Sequence, residues 1–395
     1  MGMLSGIKVL DLSRILSGPY ITMCLGDMGA EVVKVEQPGQ GDDTRTWGPP
    51  FYGSDSTYYL AINRNKKSLT LDLKHPKGKQ ILQKLLKEAD VVVENFRNDA
   101  RDRLGLQYQQ LKEQNPSLIV LHISAFGETG PAQHRPGYDV LAQAMGGIMS
   151  LTGEKDGPPL KAGYAIADLS VAMFGLSGIL GALFHRSRTG QGQYISTSLY
   201  ESQLALHINW ATNYFATGRV PEPQGSAHPN LAPYQAFPTA DGHIVIAVGN
   251  DSLWRKMCQA LALPALAKDA RFATNADRVV HRDELVDILS ERFKQRSTND
   301  WWPLLDEAGV PAGPIWTLAD IYNGNEQTEA LDMVQTIQHP VAGALKQVRF
   351  PVNFSTEPAE IQSPPPLLGE HTEQVLNSLG FSVQEIESLR TDGVV

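Results

Sequence analysis

With 395 residues, 42% of them hydrophobic and 19% charged, the chain has the composition of an ordinary globular protein with room for two or three domains. Its formal net charge of −9 argues against general nucleic-acid binding. The two cysteines, Cys24 and Cys258, offer neither a disulfide framework nor metal-ligand spacing. Neither a secretory core nor an Arg-rich transit segment begins the sequence, so we expect a reducing, cytoplasmic location.

The first third of the chain alternates between short strands and helices. Strands rich in β-branched residues are predicted at 8–12, 31–35, 68–73, 90–94 and 118–123. Helices are predicted between several of them, notably at 19–28 and 76–88, each with a proline near its first turn. This alternation predicts a parallel sheet with helices on both faces, and ligands at the carboxyl ends of its strands.

Common nucleotide and hydrolase motifs are absent from the sequence. The turn at 13–20 lacks Gly-x-Gly-x-x-Gly, and the chain has no P-loop, Gly-x-Ser-x-Gly or His-Glu-x-x-His motif. Between positions 60 and 103, however, eleven Lys and Arg residues stand against six Asp and Glu residues. Part of this excess is a solvated helix face, and the rest suggests a phosphorylated ligand.

Residues 162–184 form an apolar, small-residue stretch with one carboxylate, Asp168, near its start. A helix N-cap and a working nucleophile are both open interpretations of Asp168. Gly175, Gly178 and Gly181 recur every third residue and predict close packing against a neighbouring element. The stretch is long enough to cross a bilayer, but its glycines, its serines and Asp168 favour a buried helix. We expect no membrane association.

The remaining elements predict a second, smaller α+β domain. A strand at 192–198 and a helix at 199–215 precede a Pro- and Gly-rich segment at 218–233. An Asp-Gly turn at 241–242 predicts a hairpin of 234–239 with 243–248, followed by helices at 253–261, 282–293 and 299–308. The predicted domains are therefore 1–217 for a large domain, 218–325 for the small domain, and 326–395 for a return to the large domain with a last helix at 370–379.

Several strings, taken together and in this order, resemble the family III CoA-transferases, the group that includes formyl-CoA transferase and carnitine CoA-transferase. They are Leu12-Ser-Arg14, Gly18-Pro19, the run from Leu25 to Glu36, Gly41-Asp42, Asn63-Arg64-x-Lys66-Lys67-Ser68, Glu94-Asn95-Phe96-Arg97, Gly137-Tyr138-Asp139 and Ala167-Asp168-Leu169. Within the family, the segments at 41–50, 56–60 and 364–372 look closest to the succinyl-CoA:glutarate CoA-transferases.

The resemblance implies covalent catalysis by Asp168. The carboxylate would attack the thioester of a donor acyl-CoA and form a mixed anhydride, and the CoA thiolate would then convert the anhydride into an aspartyl-CoA thioester. An acceptor carboxylic acid, expected to be a dicarboxylate such as succinate or glutarate, would finally receive the CoA. Acyl-CoA is then a substrate, and neither a metal nor a permanently bound cofactor is required.

The resemblance also implies a set of CoA contacts. They are Ile15, Leu16, Leu71, Lys74, Asn95, Phe96, Arg97 and Arg103 along the CoA path, and Tyr138 and Asp139 near the thioester. Taken without the resemblance, Phe96 could be core, the arginines could be surface charges, and Tyr138-Asp139 could be a turn.

Three features depart from the family or concern the acceptor. Gln37 stands where many relatives carry Arg, and residues 226–233 replace a run of glycines that closes over the intermediates in formyl-CoA transferase. His228 and Asn230 are candidate substrate contacts in that segment. Arg45 is a candidate for the far carboxylate of a dicarboxylic acceptor, its alternative being an ion pair with Asp42 or Asp43.

The combined prediction is an α/β enzyme with a Rossmann-like large domain containing a parallel sheet, an inserted small α+β domain, and an interlocked homodimer like that of the relatives. Its function is predicted as CoA transfer to a small carboxylic acid. An acyl-CoA racemase of the same fold is the nearest alternative, although racemases use His where Tyr138 stands. A catalytically silent CoA-binding protein is the alternative from another class.

Overall fold

The structure is a computed structural model that describes residues 2–395. Its strands are β1 (Lys8–Asp11), β2 (Glu31–Glu36), β3 (Phe51–Tyr52), β4 (Asp55–Ser56), β5 (Lys66–Thr70), β6 (Val91–Glu94), β7 (Ile119–Ser124), β8 (Tyr194–Ser198), β9 (Tyr234–Pro238), β10 (His243–Ala247), β11 (Ala312–Pro314), β12 (Val334–His339) and β13 (Gly343–Val348).

The α-helices connect and cover these strands. They are α1 (Ser17–Asp27), α2 (Thr57–Ile62), α3 (Pro76–Glu88), α4 (Asn98–Leu104), α5 (Tyr108–Gln114), α6 (Asp139–Met145), α7 (Ile148–Leu151), α8 (Ile166–Thr189), α9 (Leu199–Leu206), α10 (Ile208–Thr217), α11 (Asp251–Ala260), α12 (Asn275–Val280), α13 (Arg282–Phe293), α14 (Thr298–Glu307), α15 (Leu318–Tyr322), α16 (Glu326–Ala330), α17 (Thr372–Ser378) and α18 (Val383–Thr391).

A six-stranded parallel sheet organises the first part of the molecule. Its strand order is β5-β2-β1-β6-β7-β8, and every neighbouring pair is parallel. From β1 the chain moves to β2 on one side, whereas β6 lies on the other side, so the strand order reverses between β1 and β6. A crevice is expected outside the carboxyl ends of strands at such a switch point.

Both faces of this sheet are buried, which explains its apolar strands. Leu10, Val92 and Val120 pack on one face with residues of α3, α17 and α18. Val9, Val91 and Leu121, together with other apolar residues of the strands, pack on the opposite face with residues of α1 and α8. The predicted alternation of strands and helices is confirmed as a mixed α/β fold with helices on both faces.

Two compact units divide the described chain. The first comprises residues 2–147, 163–206 and 331–395, and the second comprises 148–162 and 207–330. These limits differ from the predicted domains, because the second unit also takes in α10 and the segment 148–162. That assignment depends on contacts between segments distant in sequence, such as the hydrogen bond from the Gly225 amide to the Gly153 carbonyl, and composition does not reveal such contacts.

The second unit has its own three-stranded antiparallel sheet and aromatic core. The predicted hairpin is present as β9 and β10, and Asn250 caps α11 by accepting a hydrogen bond from the Leu253 amide. Phe293 lies between two other aromatic rings, with centroids 5.3 Å from Phe237 and 5.6 Å from Trp301. The packing of these buried aromatic rings against one another stabilises the second unit.

Two differences from the sequence predictions concern the first unit. The last predicted helix is present as α17, but a further helix, α18, follows it and begins with a capping box formed by Ser382 and Glu385. The hairpin of β12 and β13 was also not predicted, because its strands carry charged and polar residues in place of an apolar run.

Helix α8 is long and apolar enough to cross a membrane by length and composition alone. One face of the helix is buried, as predicted, with Val171 and Ile179 fully inaccessible. A Cβ added at Gly175 would lie 2.8 Å from the Ile21 side chain, so this glycine does permit close packing against α1. No atom lies near an added Cβ at Gly181, so the prediction fails for that glycine.

Candidate active site

A cleft of about 510 Å³ opens at the carboxyl ends of β1, β6 and β7, next to the point where the strand order reverses. Its walls come from loops that follow these strands, from the segment 133–138 and from the start of α8. The cleft therefore lies where the sequence pattern predicted a ligand. Asp168 lines it.

Asp168 is the third residue of α8 and is not its N-cap. The capping acceptor comes from elsewhere in the chain, because Asp139 Oδ1 accepts hydrogen bonds from the Ala167 amide at 2.8 Å and the Asp168 amide at 3.4 Å. The N-cap interpretation of Asp168 is thus wrong. Since Asp139 satisfies the helix amides, the Asp168 side chain is left for another role.

The electrostatic setting of Asp168 is unusual for a carboxylate. Burial raises its pKa to about 6, and the neighbouring charge of Asp139 acts in the same direction. The Ser17 hydroxyl opposes this shift by donating a hydrogen bond to Asp168 Oδ1. The carboxylate is still mostly ionised at neutral pH, yet its surroundings stabilise its negative charge only in part, as expected of a nucleophile.

The loop that leads to Ser17 is fixed by hydrogen bonds and ion pairs of buried charged side chains. Lys34 Nζ donates to the Ser13 carbonyl at 2.9 Å and pairs with Asp42 at 2.9 Å. Ile15, in the same loop, has a φ of 74°, a left-handed conformation that is strained for a β-branched residue. This strain lies at the cleft, where Ile15 is one of the lining residues.

A second loop, after β6, is fixed by Asn95, which was predicted to bind CoA, and by Glu94. Asn95 Oδ1 accepts from the Arg14 amide at 3.0 Å, and Asn95 Nδ2 donates to the Arg14 carbonyl at 2.9 Å. Glu94 accepts from the Phe96 amide at 2.9 Å and contacts buried His122 Nδ1 at 2.7 Å. Asn95 thus joins the loops after β1 and β6, so its amide positions the cleft wall.

The structure gathers part of the predicted site around this cleft. The predicted residues that line it are Ile15, Asn95, Phe96, Arg97, Tyr138 and Asp168. The others have different surroundings. Leu16 is buried and Leu71 belongs to the core, Lys74 is exposed beyond the edge strand β5, and Arg103 is exposed and paired with Asp99 at 3.0 Å. Asp139 caps α8, and the Gln37 side chain is exposed outside the cleft lining.

Arg45 requires a correction, because the structure places it in a buried ion-pair network away from the cleft lining. Its guanidinium donates to both oxygens of Glu36, at 2.8 and 2.9 Å, and to Asp55 at 2.9 Å. It also donates to the Tyr59 hydroxyl at 2.6 Å. Every edge of the guanidinium is engaged, so its role is structural, with partners other than the predicted Asp42 or Asp43.

His228 and Asn230 belong to the second unit, whereas the cleft residues belong to the first. The His228 ring packs against Tyr234 with 5.3 Å between centroids. The Asn230 carbonyl and side chain hydrogen-bond to asparagines 209, 213 and 275 of the same unit. Their predicted substrate contacts stay predictions.

Sequence reasoning missed several cleft features. Ser17 donates a hydrogen bond to Asp168 although 151 positions separate them. The exposed side chains of Arg14 and Arg135 add positive charge to the cleft beside Arg97. Outside the lining of the cleft, burial and the charge of Asp168 raise the pKa of Tyr58 to about 12. Arg14 is the exception, because it follows the first predicted strand, at the carboxyl end where a ligand was expected.

Comparison with known proteins agrees with the resemblance seen in the sequence. The model of CoA-transferase family III matches residues 4–372. Succinyl-CoA:glutarate CoA-transferase of Mus musculus is 42% identical over 393 residues, which are 99% of this chain and 90% of the relative. Succinate–glutarate CoA-transferase of Agrobacterium fabrum is 42% identical over 382 residues, 95% of each chain.

A solved structure is similar over nearly the whole molecule. The crystal structure of a CAIB/BAIF family protein from Brucella suis has 43% identity and a TM-score of 0.84, and the match covers 96% of this chain and 99% of that one. At this identity and coverage the assignment is secure. The chain belongs to the family III CoA-transferases.

Proposed function

We propose that the protein transfers CoA from succinyl-CoA to glutarate or a similar small dicarboxylic acid, with Asp168 as the acyl carrier. The observation that carries this proposal is the half-buried, incompletely compensated carboxylate at the wall of the cleft. The names of the relatives from Mus musculus and Agrobacterium fabrum support the choice of succinate and glutarate.

The proposed reaction begins with attack by an Asp168 oxygen on the thioester carbon of the donor. The C–S bond breaks, CoA leaves as the thiolate, and a mixed anhydride between Asp168 and the donor acid remains. The thiolate then attacks Cγ of Asp168 and releases the donor acid. An acceptor carboxylate reverses these two steps with its own carbon skeleton, so one thioester is exchanged for another.

Positive side chains at the cleft suit the phosphates of CoA in this proposal. Arg14, Arg97 and Arg135 line the cleft and are exposed, so they are accessible to phosphate oxygens. Phe96 offers a partly accessible apolar ring in the same wall. The predicted contacts of Leu71, Lys74 and Arg103 with CoA are not included, because these residues lie outside the lining of the cleft.

The acyl-carrier role is tested by the mass of the intact protein after incubation with succinyl-CoA and hydroxylamine. We expect a hydroxamate on the wild type and on Asp99→Ala, a control that removes an exposed carboxylate from the same cleft, and none on Asp168→Ala. An adduct on Asp168→Ala would contradict the proposal. Absence of any adduct, with solvent deuterium entering the α-carbon of an acyl-CoA, would favour the racemase.

A homodimer is also part of the proposal. Helices α6, α8 and α9 of the first unit expose large apolar side chains, namely Val140, Leu141, Met145, Met173, Phe174, Leu180, Phe184 and Leu204. Such exposed side chains are typical of an interface. We expect a dimer by light scattering and a shift toward monomer in Phe184→Glu, and a monomeric wild type would contradict this.

The cytoplasmic location stays a prediction, supported by two buried free cysteines.

A further inference from the structure

The hydrogen bond between Ser17 and Asp168 joins the first residue of α1 to the candidate nucleophile. Ser17 Oγ donates to Asp168 Oδ1, and Ser17 is only 4% exposed. Among residues 2–395, no other side chain donates a hydrogen bond to this carboxylate. The two carboxylate oxygens are therefore inequivalent, because Oδ1 is held by a hydroxyl while Oδ2 is left for attack.

Close packing of α1 fixes this arrangement. A Cβ at Gly18 would lie 2.2 Å from Ser13 Oγ, and a Cβ at Gly175 would lie 2.8 Å from the Ile21 side chain, so α1 is pressed against both its own loop and α8. Ser17 also stands at the amino-terminal end of an 11-residue helix. The positive end of that helix dipole favours negative charge on the oxygen that Ser17 contacts.

We propose that Ser17 is a catalytic residue whose hydroxyl stabilises the oxyanion that forms on Asp168 Oδ1 when a nucleophile attacks Cγ of the acylated Asp168. This inference rests on the proposed acyl-carrier function of Asp168. It adds the group that makes the aspartyl carbonyl reactive, and it assigns that group to specific steps of the cycle.

In the anhydride, Asp168 Oδ2 bridges to the donor acyl group and Oδ1 is a carbonyl oxygen. The CoA thiolate forms a bond to Cγ, and the carbonyl electron pair moves onto Oδ1, where the Ser17 O–H donates to it. When the pair returns, the Cγ–Oδ2 bond breaks. The donor acid leaves as a carboxylate that carries the former Oδ2, and the aspartyl-CoA thioester remains.

The same geometry explains why Ser17 acts in these steps and not in the first attack on the donor thioester. There, negative charge leaves Asp168 and develops on the thioester oxygen, so a donor to Oδ1 stabilises the reactant more than the transition state. In attack at Cγ, charge returns to Oδ1 and the hydrogen bond strengthens. A preorganised donor of this type typically contributes about 10²- to 10³-fold to the rate.

The reaction of the enzyme–CoA thioester with hydroxylamine, here called discharge, isolates the step in which a nucleophile attacks Cγ. Wild type, Ser17→Ala and Ser17→Cys are charged with succinyl-CoA without acceptor, freed of excess substrate and mixed with hydroxylamine. Loss of the CoA adduct is then followed by intact-protein mass. Ser17→Cys keeps nearly the original side-chain volume but offers a weak donor, so it serves if Ser17→Ala folds poorly. Ser170→Ala is the matched control, because Ser170 is a buried serine of α8 that bonds to the Ala167 carbonyl and to Gln203.

We expect discharge to be about 10²-fold slower in both Ser17 variants, within about twofold of wild type in Ser170→Ala, with little change in KM for succinyl-CoA. Discharge of either folded Ser17 variant at the wild-type rate would overturn the inference. Absence of an Asp168–CoA adduct in the wild type would overturn the proposed function instead. The two failures are therefore distinguishable.

Discussion

Two carboxylates of the first unit, the buried Asp11 and the half-buried Asp168, differ in how their negative charge is stabilised away from water. Asp11, at the end of β1, accepts hydrogen bonds from Thr22 at 2.7 Å and Lys66 at 3.1 Å, and Lys34 lies 3.9 Å away. These partners outweigh its burial and lower its pKa to about 2. Asp168 has one hydroxyl donor and a carboxylate neighbour, and its pKa is raised to about 6.

The comparison shows that partners, more than burial itself, decide whether the anion of a carboxylate is stabilised or destabilised. A paired carboxylate is stabilised as an anion and has little tendency to share its electrons. A carboxylate that is withdrawn from water and has no cationic partner is a high-energy anion. Formation of a covalent bond removes this charge and so lowers the free energy. Lys34 and Lys66 donate hydrogen bonds to backbone carbonyls on either side of Ser17. The paired charged residues therefore also fix the position of the segment that contacts Asp168.

Replacing Asp168 by Asn removes the proposed acyl carrier and should have the largest effect. We expect CoA transfer from succinyl-CoA to glutarate to fall by at least about 10⁴-fold, because no other carboxylate at the cleft takes over covalent catalysis. Steady-state rates measure the loss. The Asp99→Asn variant, which alters an exposed carboxylate of the same cleft, should stay within a few-fold of wild type. Equal losses of rate in the Asp168 and Asp99 variants would contradict a special role for Asp168.

Replacing Arg45 by Ala breaks the paired group and should act on stability. Removing this guanidinium leaves Glu36 and Asp55 buried without their cation, which typically costs about 3–5 kcal/mol. Arg14→Ala is the contrasting control, since the exposed pair of Arg14 with Asp43 is worth at most about 1 kcal/mol. Urea unfolding measures both. A stable Arg45→Ala that loses activity toward dicarboxylates but not monocarboxylates would restore its predicted role as a substrate contact.

The raised pKa of Asp168 also predicts a gain in stability when its charge is removed. A carboxylate whose pKa is higher in the folded than in the unfolded protein destabilises the fold increasingly as pH rises from the unfolded value to the folded value, and fully above the folded value. With values of about 6 and 3.8, Asp168→Asn should stabilise the protein by up to about 3 kcal/mol at pH 7.5 and by about half as much at pH 5. Unfolding at the two pH values tests this, and destabilisation at pH 7.5 would contradict it.

The smallest expected effect concerns the strained loop above the paired network. Ile15 has a φ of 74°, whereas Val33 of β2 is a β-branched residue in an ordinary strand. Gly relieves the left-handed strain only at position 15, so Ile15→Gly should destabilise the fold by about 1–2 kcal/mol less than Val33→Gly. Urea unfolding of the two variants measures the difference. Equal losses would mean that position 15 is not strained.

The sheet was predictable because its signals are local. Runs such as Val91-Val92-Val93 are buried on both faces, and their composition reveals this without any knowledge of the partners. Hairpins and caps with short-range chemistry, such as the Asp241-Gly242 turn and Asn250, were predictable for the same reason. The β12–β13 hairpin lacks such signals, and the limits of the second unit depend on long-range contacts. Helix α18 does carry a short-range signal, the capping box of Ser382 and Glu385, although the helix was not predicted.

The candidate site was only partly predictable, because its decisive contacts join distant segments. Resemblance to the family identified Asp168, but Ser17 becomes visible only when α1 packs on α8. Arg45 follows Asp42 and Asp43 in a polar segment and so resembles a surface arginine, whereas its partners Glu36 and Tyr59 close around it only in the fold. Asn95 was predicted to contact CoA and lines the cleft, but the bonds of its amide to the Arg14 backbone were not predictable.

The most direct test of the difference between paired and unpaired carboxylates is the titration of Asp168 itself. Protein labelled with ¹³C at the aspartate carboxyl groups is titrated by NMR, and the Asp168 signal is identified by its absence in Asp168→Asn. We predict a midpoint near pH 6 for Asp168, while Asp11 stays ionised down to about pH 2. A midpoint for Asp168 at or below the ordinary value of 3.8 would contradict it.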